Sequence, residues 1–301
     1  MTDTDMMKRV LEGPREMAEV IALQRYAESM LPEETRIFFD PLAIHFIDPR
    51  KLAWARDHPA ETRAMVEELE RTAPGWANSI RARVRHFDDL AERAARDGVR
   101  QMVVLGAGYD TRAYRIDAVK DSVRVFEVDR PPILAKKTEV MTRVLGAVPD
   151  HVTAVPLDLE HEDLWESLAR AGFSAELSTL FVLEGLVMYL PREAVERLFD
   201  GIARHAPAGS FALFDCVPQS LADGTLEEGG AGTILAYTVE RGQPILSGFT
   251  DGEVEPFLAR LGFSGVTVVP SSEYGRMYYH GKNAGRTVSS LLTFVRAEIG
   301  R

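Results

Sequence analysis

The residues able to do chemistry begin at Val103-Val104-Leu105-Gly106-Ala107-Gly108-Tyr109-Asp110-Thr111-Arg112. An apolar run ending in Gly-x-Gly lets the backbone approach a ligand closely, because no Cβ stands in the way. Two ligand classes use such a turn. Dinucleotide sites want a third glycine, so that the pyrophosphate meets a helix N-terminus. That position here is Thr111, and Asp110 would repel the phosphates. A cationic ligand with an amino-acid tail fits better, which favours S-adenosylmethionine, with S-adenosylhomocysteine as its product, over NAD. Gly106, Ala107 and Gly108 are the candidate cofactor turn.

Four further positions extend the site. Asp129 ends Phe126-Glu127-Val128-Asp129, where an acid can accept both ribose hydroxyls; capping the helix that starts at Pro131 is the alternative. Asp158 and Leu159 follow the strand candidate 152–156; Asp158 can accept from an adenine amino group or cap the next helix. Glu184, inside the apolar stretch Leu180 to Leu190, is costly unless paired, and at the end of a parallel strand it faces the ligand crevice. Ile80, Val84, Phe87 and Ala91 form an apolar stripe at helical spacing, and Arg83 falls on its edge while Arg81 and Arg85 fall outside. An arginine there needs an anion, either the cofactor's carboxylate or an internal acid.

The elements that must position these residues follow a simple rhythm. Residues 6 to about 98 read as helical, punctuated by Pro14, Pro32, Pro41, Pro59 and Pro74. From Gln101, short apolar strands (102–105, 123–128, 152–156, 180–183, 211–217) alternate with helices (131–146, 191–206), which predicts βαβ units and a parallel sheet. Residues 223–232, rich in glycine and acid, read as a loop or lid. Thr250 to Leu261 reads as a helix, with strands at 266–269 and 287–295 closing the sheet as a hairpin. The expected fold is α/β: a Rossmann-like, doubly wound, mostly parallel sheet with a C-terminal antiparallel hairpin and an N-terminal helical cap. Its divisions are a cap at 1–98 and a core at 99–301, with a lid insertion around 218–248.

Bulk properties exclude several functions. A net charge of -11 disfavours phosphate backbones, so no nucleic-acid partner is expected. The single cysteine, Cys216, permits no intramolecular disulfide and reads as a small buried hydrophobe. No signal peptide or membrane span is read, so no membrane partner and a cytoplasmic location are expected. His151, His161, His205 and His280 are scattered, which predicts neither a general base nor a metal site.

Taken together, these motifs resemble the leucine carboxyl methyltransferase family, closest to the bacterial branch that includes a tetracenomycin polyketide O-methyltransferase. The resemblance runs from about Ala18 to Arg296. It rests on Phe39-Asp40-Pro41-Leu42-Ala43, Arg83-Val84-Arg85-His86-Phe87-Asp88-Asp89, the glycine turn, Phe126-Glu127-Val128-Asp129-Arg130-Pro131, and Glu184 through Pro191. It implies a class I methyltransferase fold with a helical cap. Arg83 would hold the methionine carboxylate, Gly106 would line the cofactor and Asp129 would bind the ribose. Asp158 with Leu159 would sit at the adenine, and Glu184 near the reacting end. Eukaryotic members carry lysine at the position of Gln24, so their protein substrate does not transfer. Since a carboxylate acceptor needs no base whereas a phenol benefits from one, the expected reaction is methyl-ester formation on a small-molecule or peptide carboxylate. A phenolic hydroxyl acceptor is the alternative. Arg25, Arg276, Lys282 and Arg286 are candidate clamps for that carboxylate, and Tyr189, Tyr274 and Tyr279 candidate pocket residues; ordinary strand positions are the other reading of Tyr274, Tyr278 and Tyr279.

Overall fold

A computed structural model describes residues 17–300. Seven strands, β1 Gln101–Leu105, β2 Arg124–Asp129, β3 Val152–Pro156, β4 Thr179–Leu183, β5 Phe211–Cys216, β6 Phe263–Val269 and β7 Thr293–Ile299, form one sheet in the order β3-β2-β1-β4-β5-β7-β6. The first five pair in parallel, while β7 runs antiparallel to both β5 and β6. Every residue of β1, β4 and β5 is buried, because helices cover both faces of the sheet. Alternate strand residues feed two separate cores: Met102, Val104, Leu180 and Val182 pack on one side, Val103, Leu105, Phe181 and Leu183 on the other. From β1 the chain builds outward to β3, then returns to lay β4 on the opposite side of β1. That reversal opens a crevice beyond the C-terminal ends of β1 and β4.

The first five predicted strands and their flanking helices, Pro131–Leu145 and Arg192–His205, stand within about a residue or two of their expected limits, while β6 starts three residues before its expected start at Val266. Differences fall at the two ends of the chain. The stretch expected to be helical from residue 6 is broken into Met17–Ser29, Pro49–Asp57, Pro59–Thr72 and Trp76–Arg96, and residues 6–16 lie outside those described. Between the first two helices, side chains replace helical backbone partners: Glu28 accepts from the Ile37 amide and Asp40 from those of Leu42 and Ala43. At the other end β6 and β7 are antiparallel neighbours, but the helix Ser271–Tyr278 lies between them, so their link is no tight hairpin. Tyr274 and Tyr278 are therefore helical rather than strand residues. Tyr274 stacks on Phe294 of β7 at 4.3 Å between ring centroids. The last strand also starts later than expected, because Ser289 is tied to the Trp76–Arg96 helix through Ser79.

Between β5 and the helix Val254–Arg260, the chain makes an excursion whose two ends are pinned together. Pro218 bridges to Phe249, and the Phe249 amide donates to Val217. The excursion carries the helix Ala231–Val239, entered through Gly230 at φ +79°. A Cβ at Gly230 would lie 2.4 Å from the Thr72 carbonyl oxygen, so this close approach to the cap requires glycine. Among the described residues, no helix is long and apolar enough to cross a membrane.

Candidate functional site

A cavity of about 870 Å³ lies at the C-terminal ends of β1, β2 and β4. Arg83, Gly106, Ala107, Gly108, Asp129, Asp158, Leu159 and Glu184 all line it, as do Arg25 and Tyr189. Five other candidates do not. Tyr274 is fully buried with its hydroxyl against Ser79 and the Ser289 carbonyl, and Tyr279 donates to the Asn78 carbonyl. Arg286 is paired with Glu28, Lys282 faces Glu34 at 3.7 Å on the surface, and Arg276 is exposed. Tyr274, Tyr279, Lys282 and Arg286 tie the C-terminal region to the N-terminal helices, away from the crevice.

The glycine turn leaves β1 with Gly106 at φ +64° and Gly108 at φ +43°, conformations that a side chain would strain. Asp129 sits beside it. One carboxylate oxygen accepts from the Gly108 amide and the other from the Arg130 amide, both at 2.7 Å. An ionised carboxylate offers about four acceptor positions, so Asp129 has room for two more donors. Asp158 is half-buried and engaged in its own turn, accepting from the Glu160 amide and His161.

Below the turn runs a buried ionic network that links the cap to the sheet. Arg83 donates through Nε to Glu184 at 3.0 Å and through Nη1 to Asp215 at 2.8 Å. Arg112 pairs with Glu184 at 2.6 Å, with Asp88 at 2.8 Å, and with Asp110. Arg115 joins Asp88 to Asp40, and Arg25 closes the chain against Asp40 at 3.1 Å while also donating to the Tyr109 carbonyl and Thr111. Arg25 is thus committed to holding the first described helix against the glycine turn. Burial works against the charges here: at Asp215 it wins and raises the carboxyl despite Arg83 and the Gly185 amide, whereas at Asp110, Glu184, Arg83 and Arg112 the neighbours win. Burial would raise Asp110, yet Arg112, Lys137 and Arg25 hold its carboxyl down to about 2. Glu184 is likewise pushed up by burial and brought below its usual range by Arg112 and Arg83. Despite burial, the carboxylates around Arg83 and Arg112 raise both guanidinium groups above their usual value. With all groups ionised, the network holds five carboxylates against four guanidinium groups, a surplus that suits a cationic ligand.

Sequence reasoning reached only part of this network. Asp215 was overlooked, although an acid in Phe211-Ala212-Leu213-Phe214-Asp215-Cys216 carries the same signal as Glu184: an ionisable group in a buried strand. The pair Lys137–Glu127, at 2.9 Å and joined by Tyr114, was also missed; it lies beneath Ala107, whose carbonyl is 3.4 Å from Lys137 Nζ. Cys216 is buried, and burial pushes its thiol up to about 12. No histidine lines the cavity among the described residues, and among them no cluster of His, Cys, Asp or Glu is placed to hold a metal ion.

The opposite wall comes from the cap and the excursion. Leu69, Ala73, Trp76 and Ile80 line the cavity together with Ile234, Tyr237, Arg241, Gln243 and Leu246, and so does Gln24. The excursion is fastened here because Leu246 and Ser247 donate backbone amides to the Met188 carbonyl. Tyr189 lies nearby, and burial raises its hydroxyl to about 12, so it is protonated at neutral pH.

A doubly wound sheet with an acid-lined crevice at its switch point and a helical cover is a Rossmann-like α/β fold, and solved structures share it. A DUF574 family protein from Streptomyces avermitilis matches at a TM-score of 0.60 and 14% identity, covering 96% of this chain and 99% of that one. A protein titled a putative methyltransferase from Thermobifida fusca matches at 0.55 and 16% identity, covering 79% and 88%. The leucine carboxyl methyltransferase family profile matches residues 18–203, and the chain belongs to that family. Curated relatives named "putative S-adenosyl-L-methionine-dependent methyltransferase" include one from Mycobacterium avium, 44% identical over 44% of this chain and 43% of the relative. Another, from Mycobacteroides abscessus, is 35% identical over 64% of this chain and 59% of the relative. The chain spans about half the length of the curated relatives it matches.

Proposed function

We propose that the protein is an S-adenosylmethionine-dependent O-methyltransferase that esterifies a carboxylate of a small molecule or peptide. The observation that carries the reading is the meeting of Gly106, Gly108, Asp129, Glu184 and Arg83 on one cavity. The residues suit that cofactor: a turn that needs glycine, a carboxylate with spare acceptor positions, and a net-acidic floor for a sulfonium and an ammonium group. Bound there, S-adenosylmethionine would supply an activated methyl group. Asp129 would take the ribose hydroxyls, and Asp158 with Leu159 would border the adenine. Neither bond from Arg83 to its acids uses Nη2, which leaves that nitrogen for the methionine carboxylate.

The rest of the chain aligns the acceptor and excludes water. In this reading the cap of 1–98, described from residue 17, and the lid of 218–248 would cover the core of 99–301. Holding both reactants in line can supply roughly 7–11 kcal/mol of the barrier, and a dry cavity removes the acceptor's hydration. A carboxylate is ionised at neutral pH and loses no proton on becoming an ester, so a cavity whose described lining lacks histidine suits it better than a phenol.

Calorimetry with S-adenosylmethionine and with NAD tests the first half: binding of NAD alone would overturn it. Mass spectrometry of products formed from a panel of acids and phenols tests the second. A methyl ester that is cleaved by base supports the carboxylate; a base-stable methyl ether would replace it with the phenol.

A further inference from the structure

The cavity's two walls treat their polar groups differently, and the excursion wall leaves some unsatisfied. Arg241 has a side chain only 6% exposed, yet its partners are weak ones. Nη1 donates to the Tyr237 carbonyl at 2.6 Å, the guanidinium lies 3.2 Å over the Tyr237 ring centre, and the nearest acid, Glu240, stands 3.9 Å away and faces solvent. Arg241 Nε is buried with no hydrogen-bond partner among the described residues. Gln243 Oε1 and Gln24 Oε1, which line the same cavity, are also buried without one. A buried donor left unmade costs about 1–3 kcal/mol, more when charged. Arg25 Nε on the same cavity, and Arg81 and Arg85 Nε away from it, are also buried without a hydrogen-bond partner among the described residues, but each of those arginines is paired with an acid through its guanidinium. Arg241 has no buried acid beside it, and with the two amide oxygens at the same cavity that points to a ligand that completes them.

We infer that Arg241 is the residue that selects the methyl acceptor, by donating from its planar guanidinium edge to an anionic oxygen of that molecule. The inference rests on the proposed methyl-transfer function and names the substrate class of that site: a carboxylic acid with a sizeable apolar body. Guanidinium geometry matches a carboxylate bidentately. Stacking on Tyr237 fixes the plane in advance, so little rotamer freedom is lost on binding. The two glutamines stand ready to orient hydroxyl or amide donors on the same molecule. Beyond them, Leu69, Ala73, Trp76, Ile80 and Ile234 offer an apolar slot for its body. Arg25 and Arg83 do not compete for this role: Arg25 is held by Asp40, Thr111 and the Tyr109 carbonyl, and the nitrogen that Arg83 keeps beyond its two acids is the one proposed for the methionine carboxylate.

The test compares 2-naphthoate with its neutral, donor-free counterpart methyl 2-naphthoate by calorimetry at millimolar concentration, on the protein saturated with S-adenosylhomocysteine. Wild type is expected to prefer the acid by roughly tenfold or more, the scale of a hydrogen bond to a charged group. Arg241→Met is expected to erase that preference, and Arg241→Lys to retain part of it. Gln243→Leu is expected to preserve it, since the amide reads a different group. Binding of S-adenosylhomocysteine measured alone should be equal in all four proteins. An acid preference that survives in Arg241→Met, or the lack of any preference in wild type, overturns the inference. Failure of wild type to bind S-adenosylhomocysteine would instead strike the proposed function, and the naphthoate comparison on the bare protein would still judge Arg241.

Discussion

The two walls of the cavity are built on opposite principles. Beside the sheet the buried guanidinium groups of the network have carboxylates: Arg83 and Arg112 share Glu184, and Arg115 and Arg25 share Asp40. On the excursion wall Arg241 leans on a tyrosine ring and one carbonyl, and buried amide oxygens have no partners. A network of paired buried charges holds one geometry, because breaking any pair strands a charge. An unsaturated wall is completed only by its ligand. The difference teaches where a common cofactor and a particular acceptor would each be read.

The largest expected effect breaks the first wall and spares the second. Arg83→Ala leaves Asp215, which is fully buried, with the Gly185 amide but without its charged partner, and should cost about 3–5 kcal/mol of stability. Arg241→Ala removes a side chain with no buried acid beside it and should cost below about 1 kcal/mol beyond its lost packing. Urea denaturation of both variants reads the contrast. Equal losses would mean that the walls are not different in kind.

A second effect is confined to the methyl donor. Asp129→Ala keeps the network but removes the acceptor for the ribose hydroxyls, and should weaken S-adenosylmethionine binding by about 1.5–3 kcal/mol, the range for hydrogen bonds to a charged group. Its effect on naphthoate binding should be negligible. Calorimetry with each ligand separately checks both halves, and unchanged donor affinity would remove Asp129 from the proposed site.

This contrast also explains what could be read from the sequence. The sheet wall was legible because strand-end chemistry is local: a Gly-x-Gly turn, an acid after β2 and an acid inside an apolar β4 each announce themselves within a few residues. Asp215 carried the same signal and was overlooked for the cysteine beside it. What could not be read was the pairing, since Arg83 meets Asp215 across 132 positions and Arg25 meets Thr111 across 86. The excursion wall was illegible for a different reason. Arg241 and Gln243 follow a short helix in a segment without periodic pattern, and only the pinning of residues 217–219 to Phe249 brings them over the cavity. The tyrosines at 274 and 279 were read as possible pocket residues because aromatic character says nothing about which side of the cap a helix will present.

Acidity separates the walls more gently. Asp110 in the folded protein titrates at about 2, while an unfolded aspartate titrates near 3.9. Its folded value is depressed, so the stability it contributes is present above about pH 4 and is lost as pH falls toward 2; the shift corresponds to about 2 kcal/mol. Asp110→Asn should therefore flatten that part of the acid-unfolding curve, measured by circular dichroism. An unchanged slope between pH 4 and 2 would show that Arg112 is not holding this carboxyl.

The smallest expected effect is the absence of one, and it bears on the excursion wall. Tyr189, the cavity tyrosine beside that wall, is held protonated by burial up to about 12, and no described histidine lines the space. A carboxylate acceptor is fully ionised above about pH 6. Nothing on the acceptor side then changes charge between pH 6 and 9, so kcat/KM for the acceptor should be level across that window. A rate that climbs tenfold per pH unit there would report a proton leaving the acceptor before methyl transfer. That result would give the reaction to a phenol and leave Arg241 reading some other group.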